Sequence, residues 1–165
     1  MKTIEDFLAR ALAIGAEATA SYQLLAEQMQ VHNHRDAADV FRGLARMEMG
    51  RHDELLERAA GRVLPAVMPW DCQWLDSAGR DPLPLDWARR PMTAHHALRL
   101  ALANEERSRR FFEQCAASPA CSDEVRRMAR KFADEEDGHI ARLERVLGQA
   151  ARSIGGAAQG RAASG

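Results

Sequence analysis

Residues 122–149 read SDEVRRMARKFADEEDGHIARLERVLGQ, and a carboxylate and an imidazole interrupt their apolar stripe. Val125, Met128, Phe132, Ile140, Leu143, Val146 and Leu147 recur at the steps of an amphipathic helix, with Glu136 filling the step after Phe132 and His139 the one after that. A carboxylate facing a helical core is costly unless something positive meets it, so this stripe constrains whatever packs against it. Glu and His three residues apart on one inward face offer an oxygen and a nitrogen to a metal ion. Repeated on several helices, such pairs form dinuclear carboxylate centres in bundles. The plainer alternative is a half-exposed Glu beside a satisfied core His. The rest of the sequence decides whether partners exist.

The composition is that of an all-helical protein: Ala, Leu, Arg and Glu abound, and β-branched residues are few. At 165 residues the chain can bury a substantial single core. A formal net charge of -1 argues against nucleic acid or an anionic membrane as partner. No apolar run approaches a membrane-spanning helix, and MKTIEDFLAR does not read as a signal peptide. The three cysteines, Cys72, Cys115 and Cys121, form no C-x-x-C pair, which argues against a disulfide framework and against a cysteine-ligated iron or zinc ribbon within this sequence. The expected location is the cytoplasm.

Four helical segments are expected. The first covers roughly residues 4–31, capped by Thr3, with Ile4, Phe7, Leu8, Ala11, Ile14, Ala18, Ser21, Leu25 and Met29 as its buried stripe. The second covers 37–60, capped by Asp36, with Val40, Phe41, Leu44, Leu55, Leu56 and Ala59 inward. The loop between them is so short that the two are antiparallel neighbours. The third covers 94–117 behind Thr93, and the fourth runs from Ser122 to about 147. Residues 61–92 hold five prolines and all three tryptophans, Trp70, Trp74 and Trp87, without helical period. A bundle whose second and third helices run parallel needs one such long crossover. The Gly/Ala/Ser-rich stretch 148–165 is expected to be a flexible tail, leaving 1–147 as the folded domain.

Each helix also carries a glutamate at a core-facing step: Glu17, Glu48, Glu105 and Glu136. Two metal ions would let these carboxylates share one interior. Carboxylate and imidazole donors suit iron or manganese, with zinc as a further option.

The stretches GAEATASYQLLAEQ, ALANEERSRRFFEQ and FADEEDGHIARL resemble the rubrerythrin branch of the ferritin-like superfamily, over roughly residues 4–147. The resemblance implies an all-α, ferritin-like four-helix bundle with a long crossover between its second and third helices. It also implies a di-iron centre with Glu17, Glu48, Glu105, Glu136 and His139 as ligands. Tyr22 is either a buried core residue or a hydrogen-bond donor to a ligand or to bound oxygen. The second helix departs from the pattern. The family spacing puts a histidine at position 51, where this chain has Arg51 followed by His52. Either His52 ligates from a rotated or bulged helix, or Arg51 projects inward and its cation takes the place of one metal. The rubredoxin domain of full-length rubrerythrins is missing from this sequence.

The expected activity is that of a di-iron oxidoreductase, reducing peroxide or oxidising ferrous iron with peroxide or dioxygen as substrate. Electrons would come from a separate donor or from substrate iron. The alternatives are a non-catalytic iron-storage subunit and a helical interaction module with a degenerate metal site. The tryptophans and the resemblance together point to a homodimer.

Overall fold

The computed structural model describes residues 3–67 and 92–162, with side chains as far as Gln149. Among these residues there are four helices: α1 (Ile4–Val31), α2 (Arg35–Ala59), α3 (Ala94–Ala117) and α4 (Asp123–Ala162). The sequence signals start them as expected, with one exception. Thr3 and Asp6 form a reciprocal capping box on α1. Thr93 Oγ1 accepts from the His96 amide to start α3, and Ser122 Oγ accepts from the Val125 amide to start α4. Asp36, expected to cap α2, lies inside its first turn, and His34 caps it without a side-chain bond.

The α1–α2 loop is tight because Asn33 adopts a left-handed conformation, φ 60°. The amides of Asn33 and His34 then reach back to the carbonyls of Gln30 and Met29, at 3.1 and 2.8 Å, closing the last turn of α1.

Two apolar clusters fix the direction of every helix. One contains Tyr22, Leu25 and Met29 of α1, Phe41 and Leu44 of α2, Leu98 and Ala101 of α3, and Leu143 of α4. The other contains Phe7, Leu8 and Ile14 of α1, Leu55 of α2, Phe112 and Cys115 of α3, and Val125 and Phe132 of α4. α1 and α4 therefore run from the second cluster to the first, and α2 and α3 run the opposite way. α2 and α3 are parallel, so α2 ends at one end of the bundle and α3 begins at the other. The proposed crossover with its tryptophans falls mainly on residues 68–91, outside the described residues.

α4 continues to Ala162, so most of the stretch expected as a tail is helical in backbone. A helix already nucleated extends one hydrogen bond per residue, and the alanines of this stretch offset its glycines. Residues 163–165 lie outside the described ones.

In the second cluster Phe7 lies 6.4 Å from Phe111, 6.2 Å from Phe112 and 6.3 Å from Phe132, centroid to centroid, and is fully buried. Phe7→Ala should therefore lower the unfolding free energy by about 3–5 kcal/mol in a urea titration. A loss under about 1 kcal/mol would show that this cluster does not close the bundle end.

Candidate metal centre

Between the two apolar clusters the helices contribute a charged layer. Glu48 and Arg51 come from α2, Glu105 from α3, and Glu136 and His139 from α4. Exposure is 0% at Glu48 and Glu136, 2% at Glu105, 3% at His139 and 6% at Arg51, so all five are interior groups. One ligand atom from each of Glu48, Glu105, Glu136 and His139 can be chosen so that all four lie within 4.8 Å of one another.

His139 Nδ1 is the meeting point of the carboxylates. It lies 2.9 Å from Glu105 Oε2, 3.4 Å from Glu136 Oε2 and 3.5 Å from Glu48 Oε1. The Arg51 guanidinium forms a second meeting point. Its Nη2 donates to both oxygens of Glu48 at 2.5 Å, and its Nη1 lies 2.8 Å from Glu136 Oε1. The Phe112 and Phe132 rings lie 5.4 and 5.6 Å from the guanidinium carbon, a cation–π setting that keeps the cation in the core. From α1, the Tyr22 hydroxyl donates to Glu105 Oε1.

Electrostatics follow from this packing. Burial pushes the Glu136 carboxyl up to about 7, and the adjacent Glu105 carboxylate adds to the shift. Burial likewise raises Glu48, against the pull of Arg51. Burial alone would raise Glu105, but its partners Glu136 and His139 hold it below the ordinary value. For His139, burial disfavours the cation, yet Glu105 and Glu136 outweigh it and raise the pKa to about 10. Arg51 stays charged because Glu136 and Glu48 overcome its desolvation. Burial, then Glu105, holds the Tyr22 phenol protonated.

Two of the six expected ligands lie elsewhere. Glu17 is exposed and lines a small cleft with Ile14, Ser21, Asn104 and Arg107. The α1 position that faces the layer is Gly15, where an added methyl would lie 3.7 Å from Glu48 Oε2. His52 is half-buried on the outer side of α2, in a groove with Ala16, Thr19 and Met49. The helix is regular here, and Leu44, Glu48, Arg51 and Leu55 share one buried face. Leu56, expected inward, is 49% exposed, and that shift of the face toward Leu55 brings in Arg51 and turns His52 out.

A bundle of two helical hairpins around a buried layer of carboxylates and histidine is a ferritin-like carboxylate protein. The sequence profile of the rubrerythrin family matches residues 6–147, and the chain belongs to that family. It is similar to a conserved, uncharacterised protein from Magnetospirillum magnetotacticum MS-1 known from a crystal structure. The TM-score is 0.78 and the identity 35%, over 89% of this chain and 95% of that one. No protein of curated function matches the sequence.

Glu48, Glu105, Glu136 and His139 together could hold a metal ion. Neither oxygen of Glu136 accepts a hydrogen bond, although both are buried; the Arg51 contact is an ion pair off the donor direction. A buried carboxylate held by ion pairs at Arg51 and His139 can also take a cation at the His139 meeting point. The other meeting point already holds a guanidinium, and α1 brings no carboxylate to the layer.

In metal-free protein the guanidinium is the fixed counter-charge of Glu48 and Glu136. Arg51→Met should lower stability at pH 8 by about 3 kcal/mol in chelator-treated samples, because it leaves buried carboxylates without their cation. An unchanged urea midpoint would show that the ion pairs do not hold the layer together.

Proposed function

We propose that this chain is a metal-dependent oxidoreductase of the rubrerythrin type. In this reading Glu48, Glu105, Glu136 and His139 hold the metal, iron is the working ion, and peroxide or dioxygen is the oxidant. The observation that carries it is the clustering of four buried groups, with one ligand atom each from Glu48, Glu105, Glu136 and His139 lying within 4.8 Å of one another. Carboxylates that share one interior oppose folding by several kcal/mol, roughly, and a cation ligated there offsets that penalty. Three carboxylates and an imidazole form a donor set suited to iron or manganese.

Ferrous iron held there would supply one of the two electrons that, with two protons from solvent, reduce peroxide to water, and a separate donor or a substrate iron would supply the other. The chain's own side chains shape the place. Tyr22 fixes Glu105 through Oε1, which leaves Oε2 turned toward His139. Arg51 grips Glu48 in the same way. Phe112 and Phe132 cover the guanidinium and exclude bulk water from that side. The chain's three cysteines form no C-x-x-C pair, and we assign the electron supply to a separate donor or to substrate iron.

A second reading, a helical interaction module with a degenerate metal site, has one observation in its favour. Arg51 and His139 already neutralise most of the carboxylate charge without any metal. Anaerobic loading with ferrous iron, followed by gel filtration and metal analysis, separates the two. The oxidoreductase reading expects retained iron, and Glu136→Ala should weaken its retention by about 100-fold or more. Stopped-flow mixing with peroxide should then oxidise the bound iron faster than free ferrous iron. A protein that retains no iron supports the interaction module, and bound iron that reacts no faster than free iron contradicts the enzyme.

A further inference from the structure

Glu48 and Glu136 each face two positive positions. Glu136 turns Oε1 to Arg51 Nη1 at 2.8 Å and Oε2 to His139 Nδ1 at 3.4 Å. Glu48 Oε1 takes Arg51 Nη2 at 2.5 Å and lies 3.5 Å from His139 Nδ1. Two carboxylates that bridge two cation positions are the skeleton of a dinuclear site. Here one of those positions is filled from within the chain.

We propose that the Arg51 guanidinium is a resident replacement for a second metal ion, so that the layer takes up a single divalent cation, at the Glu105–His139 side, with Arg51 in place. The proposal rests on the reading of this layer as a metal site and goes further, because it fixes the capacity of the site and names the residue that sets it.

Charge supports one ion over two. One divalent ion and one guanidinium balance three carboxylates when His139 ligates as the neutral imidazole. A second divalent ion would leave a net charge of two in a buried layer, where unbalanced charge is expensive. The guanidinium cannot lose its proton to make way, as a lysine could. Geometry opposes its displacement as well. Arg51 lies three residues after Glu48 on the same face, and its cation is flanked by Phe112 and Phe132. His52, the other imidazole α2 could offer a second ion, lies outside the layer, so the second position turns on what stands at 51.

The test is equilibrium dialysis of the full chain against Mn(II) or anaerobic ferrous iron, with metal and protein quantified together. Wild type should hold about one ion per chain, and Arg51→His, which restores the ligand spacing on α2, about two. Arg51→Lys keeps the charge and should hold one. Should Arg51→His fail to fold by circular dichroism, Mn(II) electron paramagnetic resonance of wild type still decides. An isolated ion gives an uncoupled hyperfine pattern, and a pair gives a spin-coupled one. Two ions in wild type, or a folded Arg51→His that stays at one, overturns the role of Arg51 and leaves the metal reading intact. No ion in wild type or in either variant overturns both. No ion in wild type but binding by Arg51→His shows that the guanidinium closes the whole site, which overturns the single-ion proposal.

Discussion

Three carboxylates buried in one cross-section of a helical bundle are the constraint to which the rest of this structure answers. None of Glu48, Glu105 and Glu136 is more than 2% exposed, and ionised carboxylates at such depth oppose folding unless cations and donors meet them. The chain supplies a guanidinium to Glu48 and Glu136, an imidazole to all three, and a phenol to Glu105. Apolar clusters above and below keep the layer dry, which strengthens each of these interactions and makes any unmet group costly. Glu136 joins Glu48, Glu105 and His139 in the group whose ligand atoms lie close enough to share an external cation.

The layer also disciplines the bundle. Tyr22, Glu48, Glu105 and Glu136 come from four different helices and must arrive at one height, so a slip of any helix by a turn would separate charges from their partners. Polar pairing of this kind fixes register where apolar packing alone tolerates sliding. The contribution is unequal. α3 and α4 bring three of the four candidate ligands, whereas α2 brings one ligand and the resident cation, and α1 brings Gly15 and Tyr22. The chain has the bundle of the rubrerythrin family, and Arg51 sits inside its carboxylate layer, paired with Glu48 and Glu136.

Much of this was legible in the sequence. The α4 stripe was clear because large apolar residues bracket Glu136, and the helix starts were clear because Thr3, Thr93 and Ser122 cap by local bonds. α1 misled because its inward face passes through Gly15 and Ala18, which carry little hydropathic signal. Ile14 and Ser21 seemed to bracket Glu17, but Ser21 is only half-buried, and Glu17 points about 100° away from Ala18 around the helix. On α2 the sequence left His52 and Arg51 as alternatives, and the buried face through Leu44, Glu48 and Leu55 takes in Arg51. Periodicity fixes a helix face only as finely as its apolar markers allow, and one step around α2 separates a ligand from a cation.

A crystal structure of the wild-type chain loaded with iron or manganese, with anomalous scattering collected at the metal edge, tests the central claim most directly. The account predicts one anomalous peak per chain, bounded by Glu48, Glu105, Glu136 and His139, with the Arg51 guanidinium still paired to Glu48. Two peaks with Arg51 swung out of the layer, or no peak beside an unchanged Arg51–Glu136 pair, would contradict it.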